Sequence, residues 1–327
     1  MSGVLVARAK WAVAAAVILT ATAALAAEGE FHRTLKVNGP VNLQLETGSG
    51  SIQVRNGGST EVEVTGHIRE NNWGIFADHP SAGAIQQLEK NPPIQQSGND
   101  IRIGHIDDPE LKRGISISYE VVVPSSTNLH SSTGSGTQDI SGISGPVDAR
   151  TGSGSVHVSD IGAGVRAESG SGTIEIREAK GNVYARTGSG SIRATGIAGG
   201  FDGQTGSGNL TFEQTSQGSV RAQTGSGGLE LRNVRGSLQA HAGSGNIRAD
   251  GDPTGSWTVH TGSGSVNLRF PQNASFQLDA HTGSGSINLN HPVSVQGSIN
   301  RREVHGKVGG GGVPVQVETG SGSIAID

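Results

Sequence analysis

Three histidines carry the clearest chemical possibility in this sequence. His241, His260 and His281 each stand one residue ahead of a turn tetrapeptide of the Thr-Gly-Ser-Gly type. Imidazole nitrogens ligate Zn²⁺, Ni²⁺ and Cu²⁺. If each tetrapeptide marks one turn of a repeating structure, the three rings stack on consecutive rungs ~5 Å apart and form a candidate metal face. Two facts favour a solvated polar column instead. Stacked rings lie parallel rather than converging on an ion, and the same column position holds Gln204, Gln223 and Glu318 in other repeats.

Other candidates are weaker. Asp107 and Asp108 with Glu110 have the composition of a cation site, but a solvated turn is the better account of them. The Gly-Ser-Gly runs look like phosphate loops, but no Lys-Ser/Thr follows a Gly-x-x-x-x-Gly pattern. Calcium-binding β-rolls place Asp in their turns, where this chain has Ser. Trp73 and Phe76 lie in a non-repeating segment and are candidate contact residues, whereas Trp257 falls in phase with core positions. The chain has no cysteine, so disulfides and a thiol nucleophile are excluded. No cofactor is expected.

The elements that would position these residues follow from a repeat. The tetrapeptide or a close variant begins at Thr133, Thr151, Ser169, Thr187, Thr205, Thr224, Ala242, Thr261 and Thr282, in steps of 18, 18, 18, 18, 19, 18, 19 and 21. Further copies begin at Thr47 and Thr319. Apolar residues keep the same phase. Five and seven residues after a start come pairs such as Val156/Val158, Ile174/Ile176 and Leu210/Phe212. Four and two residues before come Val165/Ala167, Val183/Ala185 and Val220/Ala222. Alternation with period two predicts strands with one buried face. A third apolar position, Ile143, Ile161, Ala179, Ile197 and Val234, is expected to plug the far corner. No single unit can bury its own apolar face, whereas stacked units share one column. The fold expected is all-β, a parallel β-helix or β-solenoid of ~18-residue coils. The turn glycines are expected to supply a positive φ. Outward charges alternate in sign along the stack, as in Arg150, Glu168 and Arg186, and are expected to pair between rungs.

The ends are less regular. Residues 28–132 read as an N-terminal cap with an elaborated first coil. The insertion covers 66–118 and carries a short helix near 81–91, with Ser81 as N-cap and Asn91-Pro92-Pro93 as its stop. Residues 133–327 read as the regular solenoid with an irregular last coil. The chain stops half-way round that coil, at Ile324–Asp327, so an exposed edge and end-to-end self-association are expected.

Residues 1–27 read as a signal peptide. Arg8 and Lys10 precede an apolar run from Trp11 to Leu25, and Ala24-Leu25-Ala26 fits a cleavage site. The chain is then exported, to the periplasm, cell surface or medium, with no stable membrane span after cleavage. With 24 Lys+Arg against 28 Asp+Glu the protein is acidic, which disfavours nucleic acid as a partner. Gly, at 53 of 327 residues, and an aromatic content of 3% disfavour a helical bundle.

The segments Leu129 to Gly136, Ile143 to Gly154 and Arg302-Glu-Val-His-Gly, with the closing Val317 to Ile324, resemble the bacterial domain-of-unknown-function β-strand-repeat family labelled "putative adhesin". The resemblance covers essentially the whole mature chain. It implies a right-handed β-helix in the cell envelope and brings no catalytic residues. The function expected is a non-enzymatic, adhesin-like structural or interaction module whose ligand is an envelope glycan or protein. The alternatives are a carbohydrate-active β-helix lyase or hydrolase, with 66–118 as one wall of a cleft, and metal binding at the histidine column.

Overall fold

The structure, a computed structural model, describes residues 28–58, 60–70, 82–108, 114–295 and 300–327. The N-terminal part contains β1 (Glu28–Lys36), β2 (Val41–Thr47), β3 (Ile52–Asn56), β4 (Glu61–Glu70), α1 (Ala82–Lys90), β5 (Ile94–Ser97), β6 (Asp100–Ile103) and β7 (Ile115–Val123). The repeating part runs through β8 (Thr127–Thr133), β9 (Gln138–Ser141), β10 (Val147–Thr151), β11 (Val156–Ile161), β12 (Val165–Ser169), β13 (Ile174–Ala179), β14 (Val183–Thr187), β15 (Ile192–Ile197) and β16 (Phe201–Thr205). It continues through β17 (Leu210–Gln214), β18 (Val220–Thr224), β19 (Leu229–Arg235), β20 (Leu238–Ser244), β21 (Ile247–Asp252), β22 (Trp257–Ser263) and β23 (Val266–Arg269). The C-terminal part holds β24 (Phe276–Ser284), β25 (Ile287–Leu289), β26 (Val293–Val295), β27 (Glu303–Val308), β28 (Val313–Ser321) and β29 (Ile324–Ile326).

Each coil gives one strand to each of two sheets, of 14 and 15 strands, and equivalent strands of successive coils pair in parallel. Ile174, Ile192 and Leu210 are register partners and all are buried, so the aliphatic residues form one continuous core between the sheets. The protein is a parallel β-solenoid. Some inward positions depart from the apolar rule, among them Thr127, Ser131, Gln138 and Gln214. Ser131 and Gln138 are fully buried, and they satisfy each other: Ser131 Oγ donates to Gln138 Oε1 at 2.5 Å, and Gln138 Nε2 donates to the Arg150 carbonyl at 2.5 Å.

The tetrapeptide corner is tied by a hydroxyl ladder. Thr151 Oγ1 accepts from the Gly154 amide at 3.0 Å and donates to the Gly136 carbonyl of the preceding coil at 3.2 Å. Ser169, Thr187 and Thr205 repeat both bonds. In most coils the glycines of this corner serve a purpose other than the positive φ expected, which only Gly264, Gly285 and Gly322 of the tetrapeptides adopt. A Cβ on Gly172 would sit 1.8 Å from the Gly154 carbonyl oxygen, so these residues are glycine because successive turns stack backbone on backbone. At the tetrapeptide corner a positive φ is confined to Gly264, Gly285 and Gly322 of the last coils; in the earlier coils it occurs at the opposite corner, at Gly142, Asp160, Glu178, Gly196 and Asn233, beside the buried plugs Ile143, Ile161, Ala179, Ile197 and Val234.

The C-terminal part does not follow chain order. β28 lies between β22 and β24, and β29 lies between β23 and β25. The last strand is therefore an interior strand rather than the exposed edge expected, and the edge positions at this end belong to β25 and β26. The 21-residue step from Thr261 to Thr282 has a physical reason here. The chain must climb two rungs, ~10 Å, instead of one, and the extra length is filled by Phe270, which packs between Trp257 (5.0 Å) and Phe276 (4.7 Å).

Antiparallel strands close both ends. β1 pairs with β4 and β4 with β7, while β26 and β27 cover β24. This replaces an open parallel edge with short, dressed strands. α1 lies against β1, and Arg33 Nη2 donates to the carbonyls of Glu89 (3.0 Å) and Lys90 (2.9 Å) at the helix C-terminus. Among the described residues, no helix is long and apolar enough to cross a membrane.

Candidate functional site

The outward face of the 15-stranded sheet carries one polar side chain per rung in straight columns, because side chains alternate along each strand and the register is constant. One column reads Arg102, Gln44, His130, Asp148, Arg166 and Tyr184 across β6, β2, β8, β10, β12 and β14. A neighbouring column begins Asp100, Asn42 and Asn128. It continues with Pro146 and Gly164, one residue ahead of Val147 and Val165. Those two positions lack long side chains, so the sheet floor lies open beneath them. The result is a trough of about 880 Å³ that crosses these rungs and ends near Asn182.

Its polar groups are held in place. Asn128 Nδ2 donates to Asn42 Oδ1 (2.9 Å), and Asn42 Nδ2 donates to Asp100 Oδ1 (2.7 Å). Asp148 Oδ2 accepts from Arg150 Nη2 at 2.8 Å and lies 3.4 Å from His130 Nδ1, while its buried Oδ1 has no partner among the described residues. The Arg166 guanidinium pairs with Glu168 and lies 4.3 Å over the ring of Tyr184. Several ion pairs run along a strand, as in Arg150–Asp148, Arg177–Glu175 and Arg232–Glu230, and not only between rungs as expected. An arginine side chain reaches its i±2 neighbour as readily as the next rung. Arg150–Glu168, at 3.8 Å, is a bridge between rungs.

Beside the trough lies a cavity of about 150 Å³. It lies between the end of β6 and the start of β7, which the sequence does not join by a tetrapeptide. Tyr119 occupies an inward position, paired in register with Ile52, and is 1% exposed. Among the described residues its hydroxyl has no hydrogen-bond partner, and burial pushes the phenol well above its ordinary range. Glu46, His105 and Ser132 contribute to the polar lining, and Ile106, Ile115 and Ile117 to the apolar lining. The trough and the cavity meet along β2, where Gln44 Nε2 donates to Glu46 Oε1 at 2.9 Å. Sequence reasoning missed this cavity. Its one signal was an aromatic at a position that most other coils give to aliphatic residues.

The histidine column differs from the expected one. His241 and His260 are register partners with rings stacked at 5.1 Å and 4°. The next rung presents Glu318, whose Oε2 is 3.4 Å from His260 Nδ1, and only then comes His281. The three imidazoles therefore do not stand on consecutive rungs, because β28 is interposed. Among the described residues, no group of three or more His, Cys, Asp or Glu side chains could hold a metal ion. Beyond His281 the column reaches Glu303, which bonds His305 Nε2 at 3.0 Å, and His305 Nδ1 lies 3.0 Å from Asp279. The hydrogen bond to Glu303 raises the His305 pKa, with Asp279 adding to it, and the same bond lowers that of Glu303.

Asp107 pairs with His105 at 3.1 Å. Trp257 is fully buried, and its Nε1 donates to the Gly236 carbonyl at 3.1 Å. Trp73, Phe76, Ser81, Glu110 and residues 1–27 lie outside the described residues.

A family model described as Toastrack DUF4097 matches residues 163–327, just over half of the chain. The chain belongs to the Toastrack DUF4097 family. The matched segment starts at the approach to β12 and includes the interleaved C-terminal coils. Among solved structures, the Toastrack chain is similar to a putative adhesin from Bacteroides fragilis, with 12% identity, coverage of 91% of this chain and 97% of that one, and a TM-score of 0.38. It is also similar to a putative cell adhesion protein from Clostridium sporogenes, with 13% identity, coverage of 92% and 99%, and a TM-score of 0.21. No curated protein matches the chain.

Proposed function

We propose that this Toastrack chain is an exported, non-enzymatic, adhesin-like interaction module of the bacterial cell envelope, and that it holds an extended glycan along the trough of the 15-stranded sheet. The observation that carries this reading is the trough itself. Amide, carboxylate, guanidinium and imidazole groups recur at one per rung, beside a floor opened by Pro146 and Gly164. Such a surface offers donors and acceptors to successive hydroxyls and a flat strip to the faces of sugar rings. Both charge signs alternate along it, which suits a neutral polymer better than a polyanion.

Two points support a binding role over turnover. Asp148 faces Arg150 and His130, and Asp100 is bonded by Asn42. Both carboxylates are thereby engaged by the trough's own side chains. The rigid stack also offers a fixed ruler of ~4.8 Å rungs. Support for export comes from the basic-then-apolar stretch of residues 1–27.

The test is co-sedimentation of the purified protein with insoluble envelope polysaccharide, alongside Arg166→Ala and Asn128→Ala. The expected result is retention of the wild type, about tenfold weaker retention of Arg166→Ala, and no release of sugar ends. Retention that is unchanged in both variants removes the trough from the reading. Sugar release abolished by one carboxylate substitution replaces it with an enzyme. N-terminal sequencing of protein recovered outside the cytoplasm checks export, with a start at or near residue 27 or 28 expected.

A further inference from the structure

We propose that His305 is a pH-sensitive latch. While its imidazole ring is protonated it fastens the C-terminal cap, β26 and β27, onto β24, and once the proton is lost that end of the solenoid opens more readily.

The latch sits at the seam between cap and coil. β27 runs antiparallel to β24, with Asp279 opposite His305 and His281 opposite Glu303. β26 joins the sheet only through β27. Val304 and Val308 of β27 are buried in the core, so the cap closes the outermost rung. The side chain that spans the seam is His305. Its Nδ1 lies 3.0 Å from the Asp279 carboxylate of β24, and its Nε2 bonds Glu303 of its own strand at 3.0 Å. Among the described residues it is the one histidine with a carboxylate at each ring nitrogen. His130, His157 and His260 each meet a single carboxylate, at 3.4, 3.3 and 3.4 Å.

A carboxylate only accepts hydrogen bonds, and a neutral imidazole carries one N–H. A neutral ring here would turn a lone pair toward one of the two carboxylates. The imidazolium turns an N–H toward each, so the seam selects the charged ring. The surrounding charges do not reverse this. His281 of β24 faces Glu303 on one side and Glu318 of β28 on the other, so its protonation acts in the same direction. Asp279 has the uncharged Gln316 as its β28 neighbour. Lysine and arginine do not titrate in the histidine range. Lys307, opposite Gln277, and Arg301 and Arg302, ahead of β27, are therefore a constant background. Residues 293–299, which include β26, contain no titratable side chain.

The linkage has a definite sign. The Glu303 bond, with the Asp279 charge, raises the His305 pKa in the folded chain. Stability from a raised histidine pKa is complete below the value in the unfolded chain and is lost as pH rises through the folded value. The His305 bond lowers the Glu303 pKa, and that contribution is lost only as pH falls through the folded carboxylate value. The latch is fastened between these limits and loosens on the alkaline side first when a neutral solution is made basic.

The test is amide hydrogen exchange of the purified protein at about pH 6 and about pH 8.5, a span that brackets histidine titration, corrected for the intrinsic pH dependence of exchange. Protection of β27 and of the β24 edge is expected to fall about threefold at the higher pH, the scale of a half-exposed ion pair, while β11 and β13 in the middle of the stack stay unchanged. His305→Gln is expected to show the lower protection at both pH values, and Asp279→Asn to lose most of the pH response. The ¹⁵N-detected titration midpoint of His305 is expected above that of histidine in the urea-unfolded chain. Equal protection of the wild-type cap at both pH values, a full pH response in His305→Gln, or a midpoint at or below the unfolded one each overturns the proposal.

Discussion

The two corners of each coil solve the same problem in different ways. Both must reverse the chain within a few residues and bury backbone polar groups. At the tetrapeptide corner the backbones of successive coils nearly touch, and a Thr or Ser hydroxyl serves the Gly amide of its own turn and the Gly carbonyl of the preceding coil. At the opposite corner the reversal is made by one residue of positive φ, and the space is filled by an aliphatic plug. The first corner fixes residue type by sterics and hydrogen bonding, so Gly and Thr recur in nearly every coil. The second fixes only backbone conformation and volume, so it accepts Gly, Asp, Glu and Asn at one position and Ile, Ala and Val at the next. A glycine-rich repeat therefore need not mean a repeat of left-handed glycines.

Four substitutions break or sharpen this contrast. Gly172→Ala places a Cβ 1.8 Å from the Gly154 carbonyl oxygen, which cannot move without shifting the whole rung. It is expected to cost more than about 3 kcal/mol and to lower the urea midpoint sharply. Retention of wild-type stability would refute the close-stacking account. Thr205→Val keeps the shape but leaves the Gly190 carbonyl and the Gly208 amide without their hydroxyl partner. Its expected cost is about 1–3 kcal/mol, with amide exchange at Gly208 accelerated. Glu178→Gly, at φ +58° in the opposite corner, should stabilise by about 0.5–1 kcal/mol, because the left-handed penalty outweighs the added chain entropy. A loss at that site would mean that the Glu178 side chain contributes more than its backbone costs. Ala242→Thr restores the hydroxyl missing from one coil. The expected gain is about 0.5 kcal/mol or less, since Gly245 N already donates to the Ser263 carbonyl at 2.9 Å.

Much of the solenoid is legible in the residues. The period, the inward positions and the corner plugs follow from local alternation, and phase alone puts Trp257 in the core. The site was far less legible. The trough depends on which outward residues are short, and that matters only once rungs are aligned side by side. The Tyr119 cavity lies where the coil after β6 lacks the tetrapeptide, and the sequence there does not show that Gly104 packs against the Glu46 carbonyl. The histidine column shows the limit most directly, since His260 and His281 are adjacent in the repeat and separated in space by Glu318.

By itself, the sequence determined that the chain folds into stacked two-strand coils, and which side chains fill their interior. The cause is local: the strand repeat of two residues, with Gly at the stacked turns, permits one inward set. Tertiary structure decided the order of the last rungs. Thr261, Thr319 and Thr282 present the same turn motif and comparable inward residues, so strand pairing scarcely distinguishes one neighbour from another. The choice falls to features that act between distant segments: the longer 269–275 connection, the packing of Phe270 between Trp257 and Phe276, and the antiparallel β26–β27 cover on the outermost coil.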